Sequence, residues 1–160
     1  MERRQCHEIF QVLQREKIIA MELDDNVYDK ITLLSKEGNK HLNSNKFDVA
    51  LDKFNEALNL VPEPKTDWEA STWLYTAIGD AFFLKGDYTK SLDSFYDAYN
   101  CPDGVDNPFI NLRLGQCLFE LEQIDKAEDF LMRAYMLDGT KVFKGDGKKY
   151  LAHMRKKYDL

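Results

Sequence analysis

The sequence predicts an all-α fold, three helix–turn–helix units in succession with a further helix at each end. Three observations carry this expectation. First, Gly38, Gly79 and Gly115 each open the same register: a large apolar residue nine positions on (Phe47, Tyr88, Ile124), a small one at twelve (Ala50, Ser91, Ala127), a bulky one at sixteen (Phe54, Phe95, Leu131) and alanine at nineteen (Ala57, Ala98, Ala134). Second, within each unit the apolar residues recur at the three-to-four spacing of a helical stripe. Third, the prolines and the remaining glycines fall between the stripes and not inside them, as helix ends require.

The elements follow in chain order. Residues 3–28 supply Ile9, Phe10, Leu13 and Ile18 for an N-terminal capping helix, which a stack of hairpins needs to cover its first apolar face. Residues 31–62 form the first unit, with Leu34, Gly38 and Leu42 facing Ala50, Phe54, Ala57 and Leu58 across the turn Asn43-Ser44-Asn45-Lys46. Small residues let two helix axes approach to roughly 8–10 Å while the bulky ones fill the neighbouring holes. Pro62 and Pro64 end this unit.

Residues 67–103 form the second unit, which Thr66 and Glu69 open with the spacing of a capping box and Gly86 turns at mid-point. Residues 108–139 form the third, with Asn107 as cap, Pro108 at the first helical position and Gly139 at the close. Residues 146–157 make the final helix on Tyr150, Leu151 and Met154. All of these belong to one domain spanning 1–160.

The register resembles the tetratricopeptide repeat (TPR) family, whose unit is a 34-residue helix–turn–helix with this small-and-large signature. The second unit, WLYTAIGDAFFLKGDYTKSLDSFYDAY, matches best. The third departs from it, because Glu122 replaces the usual turn glycine and Ile124 the usual aromatic. The resemblance implies a right-handed superhelix whose concave groove, lined by the first helix of each unit, binds a protein or peptide. By the same resemblance the groove-facing residues are Lys36, Asn39 and Asn43 from the first unit and Trp73, Ala77, Asp80 and Phe83 from the second. The third gives Phe109, Arg113, Gln116 and Phe119, and the anchors are Trp73, Phe83, Phe109 and Arg113. Some members hold a partner's terminal carboxylates with a five-residue clamp of cations and amides. Asn39 and Arg113 match it here, but Ser35, Ala77 and Phe109 do not, which leaves too little positive charge for that task.

Composition narrows the function. The chain has 160 residues and a formal net charge of −6, unevenly spread: residues 140–160 carry +5 and residues 1–139 carry −11. An acidic body opposes nucleic-acid binding, which needs a cationic surplus, and attracts basic partners. No stretch approaches the roughly 18 apolar residues of a membrane span, and the charged N-terminus lacks a signal-peptide core. Three cysteines (Cys6, Cys101, Cys117) without framework spacing fit reduced thiols, and Cys6–His7 finds no second pair to complete a metal site. The expected location is the cytoplasm.

No catalytic motif, cofactor signature or metal-ligand spacing is found, so the expected function is non-catalytic binding of a protein partner by a monomer or weak dimer. A narrower resemblance, on DWEASTWLYTAIGDAFF, NCPDGVDNPFINLRLGQCLFEL and AYMLDG, is to small bacterial TPR proteins encoded beside polymorphic toxins. It implies an immunity protein that grips a basic toxin domain. The alternative is a general adaptor or an assembly or secretion chaperone.

Overall fold

The computed structural model describes residues 23–160; residues 3–22 of the capping helix expected over 3–28, with Cys6 and His7, lie outside the described residues. Seven helices run in order: α1 (Asp25–Asn43), α2 (Phe47–Leu60), α3 (Glu69–Lys85), α4 (Tyr88–Tyr99), α5 (Pro108–Glu120), α6 (Ile124–Asp138) and α7 (Lys148–Met154), with no strand among the described residues. The pairs α1/α2, α3/α4 and α5/α6 are the three hairpins, and each successive pair stacks on the one before.

Within a hairpin the crossing point is a glycine against a large side chain. A Cβ placed on Gly38 would lie 2.5 Å from the Phe54 ring, one on Gly79 2.8 Å from Phe95, and one on Gly115 2.7 Å from Leu131. No side chain fits there, so glycine is what lets the helices close. The alanines nineteen residues on, Ala57, Ala98 and Ala134, are all fully buried, in keeping with their shared place in the register. Ser91 occupies the small position in the second hairpin, and its hydroxyl donates to Gly79 O at 2.8 Å. A buried hydroxyl needs such a partner.

All three turns share one geometry. In each, one amide reaches back five residues (Lys46 N to His41 O, Asp87 N to Phe82 O, Gln123 N to Leu118 O), all at 2.9 Å. The preceding residue has positive φ: 56° at Asn45, 85° at Gly86 and 60° at Glu122. This is the Schellman closure, whose left-handed residue is usually glycine and sometimes asparagine. Glutamate has neither advantage, so Glu122→Gly is expected to raise stability by about 0.5–1 kcal/mol, read as a higher midpoint in urea unfolding.

The boundaries differ from expectation in three places. α1 begins at Asp25, capped by Asp24 Oδ1 accepting from Asn26 N at 3.0 Å, so residues 25–28 belong to the first hairpin and not to the capping helix. The expected capping box at Thr66 does not form. The chain makes a 3-10 turn over Lys65–Asp67, Trp68 takes the cap position, and Glu69 becomes the first helical residue instead of the third. α7 is shorter than 146–157, because Gly145 (φ 62°) opens a 3-10 turn and the chain leaves the helix after Met154. Asn107 caps α5 as expected, accepting from Phe109 N and Ile110 N.

Tyr150, Leu151 and Met154 are buried as expected, against a cluster that includes Leu112, Leu131 and Phe143. The terminal segment is then tied down by carboxylates of the third hairpin. Glu128 of α6 accepts from Lys157 Nζ and Tyr158 Oη, and its Oε1 lies 2.9 Å from His153 Nε2. Glu120 of α5 accepts from Lys149 Nζ and from Tyr150 Oη. Lys149, His153 and Lys157 therefore have a structural use here.

Candidate functional site

The first helices α1, α3 and α5 lie side by side, and the structure sorts the residues expected in a groove into two groups. Asn39 and Asn43 stand exposed on α1. Trp73 is half-buried on α3 and forms a wall of two clefts. One cleft, of about 360 Å³, is lined by Leu23, Asp25, Tyr28, Trp68, Glu69, Ala70 and Trp73. The other, of about 230 Å³, is lined by Glu69, Thr72, Trp73, Thr76, Pro102, Asp103 and Asn107.

The second cleft has a fixed floor. Thr72 Oγ1 donates to Pro102 O at 2.8 Å, which pins the loop after α4 against α3. Asn111 Nδ2 donates to Val105 O and Asn107 O, holding the far end of that loop. In the first cleft the indole N–H of Trp68 is buried with no acceptor.

The remaining expected residues form a polar cluster between hairpins. The Arg113 guanidinium lies 4.1 Å from the ring centre of Phe83 and 5.1 Å from that of Phe109. Its Nη1 donates to Asp146 Oδ2 at 2.6 Å and to Gln116 Oε1 at 2.8 Å. Its Nη2 sits 2.7 Å from Asp80 Oδ1, an ion pair at contact distance in which that oxygen has no well-aligned hydrogen-bond donor. Burial pushes the Asp80 carboxyl above the usual range, Arg113 partly offsets this, and Asp146 adds to the rise.

This corrects the expectation for the third hairpin. Arg113 and Gln116 are buried, at 6% and 0% exposure, and are therefore not open binding surface. Phe119 is covered by the terminal helix, edge-on to Tyr150 at 5.3 Å and to His153 at 4.9 Å between ring centres. Phe109 packs edge-on to Phe95 and Phe83 edge-on to Tyr88, so both serve mainly as flooring. The physical reason is the segment around Asp146, which brings a carboxylate to Arg113 and closes that end of the face. With Arg113 held by two carboxylates, the clamp's last matching cation is already paired.

Residues that sequence reasoning did not place in a site are Tyr28, Trp68, Asp25, Glu69 and Asp103. Trp68 and Glu69 carried a signal, since they cap and open the helix bearing Trp73. No group of three metal-ligating side chains occurs among the described residues. Burial pushes the thiols of Cys101 and Cys117 up to about 11, so both are protonated at neutral pH and poor nucleophiles. No described helix is long and apolar enough to cross a membrane.

Stacked helical hairpins with this closure define a TPR-like helical-repeat fold, and comparison with solved structures agrees. The Arabidopsis OM64 TPR domain aligns with TM-score 0.67 at 16% identity, covering 82% of this chain and 99% of that one. The first TPR of Spaghetti (RPAP3), bound to HSP90 peptide SRMEEVD, aligns with TM-score 0.65 at 18% identity, covering 80% and 94%. The Yersinia enterocolitica type III secretion translocator chaperone SycD aligns with TM-score 0.61 at 17% identity, covering 81% and 90%. No family model and no curated protein matches the sequence.

Proposed function

We propose that the chain is a non-catalytic interaction module that captures a segment of a partner protein on its first-helix face, centred on Trp73. The observation that carries this reading is an aromatic side chain left half-open between two clefts, while Arg113 and Gln116 farther along that face are buried. Tryptophan is the residue type most over-represented among interface anchors, and clefts on either side let a partner bury it further. Asn39 and Asn43 extend the same face with amide donors and acceptors. Asp80, Phe83, Phe109, Arg113, Gln116 and Phe119 hold the platform in shape. Fold neighbours support the reading through a peptide-bound TPR and a translocator chaperone.

The specific role we propose is neutralisation of a co-encoded bacterial toxin in the cytoplasm, by stoichiometric masking of a basic domain. The −11 charge of residues 1–139 supports it by steering cationic partners. A secretion or assembly chaperone is the second reading, favoured by the likeness to SycD.

Pull-down from the native host, with wild type and Trp73→Ala side by side, tests the module. The variant is expected to lose capture by about 1 kcal/mol or more, the scale of an interface anchor, at unchanged helicity. Unchanged capture would move the interface off this face. A single basic toxin, against which co-expression protects cells, would support immunity; a set of secretion components would support the chaperone.

A further inference from the structure

We infer that the 360 Å³ cleft beside Trp73 receives a cationic side chain, lysine or arginine, from the partner's segment; this deepens the interaction reading above and rests on it. Three aromatic side chains wall the cleft: Tyr28 from α1, Trp68 from the cap of α3, and Trp73 one turn into α3. Aromatic faces attract cations through the ring quadrupole, tryptophan most strongly. Two exposed carboxylates, Asp25 and Glu69, line it too, beside Leu23 and Ala70, and among the described residues no lysine, arginine or histidine contributes to it.

The helix termini oppose this charge. Asp25 and Glu69 are the first residues of α1 and α3, so two helix N-termini also point at this end. Each N-terminus carries roughly half a positive charge, against a full negative charge on each carboxylate. The sum stays negative. Neither carboxylate has an ion-pair partner among the described residues. This separates them from Asp80 and Asp146, which Arg113 already satisfies.

The volume sits at the lower end of the roughly 300–1,000 Å³ of ligand pockets, room for a side chain and its neighbouring backbone but not for a packed helix. Glu69 and Trp73 line both clefts, and Asp103 lies in the second. A basic segment crossing Trp73 therefore meets negative charge on both sides of the ring.

The test uses the full chain and a defined probe, acetyl-Gly-Arg-Gly-Arg-Gly-amide, against the same peptide with citrulline at both arginine positions. Citrulline keeps the shape and removes the charge. The chain has two tryptophans, so the two indole N–H resonances report the cleft directly, assigned with Trp68→Phe and Trp73→Phe. The arginine peptide should shift both resonances saturably, weaken as salt rises, and bind about tenfold tighter than the citrulline peptide. The isosteric pair Asp25→Asn and Glu69→Gln should cut that affinity about fivefold, with only a small drop in melting temperature from the two helix starts that lose a carboxylate.

Equal binding of the two peptides, or no shift at either indole, overturns the cationic assignment. If the host partner still needs Trp73 for capture in that case, only the charge assignment fails and the interaction reading stands. If capture also ignores Trp73, both fail.

Discussion

Arg113→Ala is expected to cost about 3 kcal/mol of unfolding free energy, a large share of the roughly 5–15 kcal/mol typical of a domain. The side chain joins three elements: Asp80 on α3, Gln116 on its own helix, and Asp146 ahead of α7. Removing it strands Asp80, whose side chain is only 23% exposed, without a counter-charge. Asp146, at 52%, can turn to water, which places the cost at the lower end of the usual range for breaking a buried pair. The guanidinium also fills the space between Phe83 and Phe109, so packing is lost with the charge.

The sign of the pH dependence separates these contributions. Burial already raises the folded-state pKa of Asp80, and Arg113 holds it down. Without Arg113 it rises further. A carboxyl whose folded pKa exceeds its unfolded value stabilises below the unfolded pKa, and that contribution is lost as pH rises through the folded one. Urea unfolding of Arg113→Ala should therefore show a deficit that grows from pH 4 toward neutrality. Adding Asp80→Asn should recover about 1 kcal/mol or more at neutral pH and flatten the dependence. A loss under about 1 kcal/mol for the single variant, with no pH slope, would mean that the cluster is solvated and holds nothing together.

The hairpins were legible because the constraint behind them is steric and local. Where two helices cross, one partner must be small, and the crossing recurs at one place in each unit, so Gly38, Gly79 and Gly115 announce the architecture. The turns were legible for a related reason: Asn45 and Gly86 are residue types that accept positive φ. Glu122 shows the limit, since it adopts the same φ against its own preference because the two helices on either side dictate the turn. Thr66 shows another. A capping box is a four-residue pattern, but the start of α3 is set by how Trp68 and Ala70 pack on the first hairpin.

The candidate site was less legible, because groove-facing is a property of the assembled stack. Arg113 sits at a position that faces outward in an isolated hairpin, and it is buried because the preceding hairpin, through Asp80 and Phe83, and the later segment at Asp146 both close on it. A signal was present all the same: Asp80 and Asp146 each stand 33 residues from Arg113, about one repeat before and one repeat after. In a stacked repeat, residues one period apart are spatial neighbours, so an acid–base–acid series at that period describes a ladder across hairpins. The cleft at Trp73 was half-legible. The tryptophan was expected on the face, but Tyr28 and Asp25 join it only because α1 begins earlier than its apolar stripe suggests.

Phe95→Ala should be the most damaging single change to the core, at about 3–5 kcal/mol. The ring is fully buried, seats on Gly79 within its own hairpin, and meets Phe109 of the next hairpin edge-on, at 6.3 Å between ring centres. In a linear stack each hairpin leans only on its neighbours, and Phe95 clusters with Ile110 and Leu114 of the third hairpin, so its cavity loosens that junction as well as its own crossing point. The sharper test is Gly79→Ala. On its own it carries two opposed effects: alanine favours a helix over glycine by up to about 1 kcal/mol, while its methyl would meet the Phe95 ring at 2.8 Å. Overpacking of that kind costs about 1–3 kcal/mol, so the single variant should be destabilised. In a Phe95→Ala background the obstructing ring is gone, the methyl enters the vacated space, and the helix preference acts unopposed. The same substitution should then stabilise. Thermal unfolding of the four proteins in this cycle reads that inversion directly, and a Gly79→Ala effect of equal size and sign in both backgrounds would show that Gly79 and Phe95 do not share the crossing point.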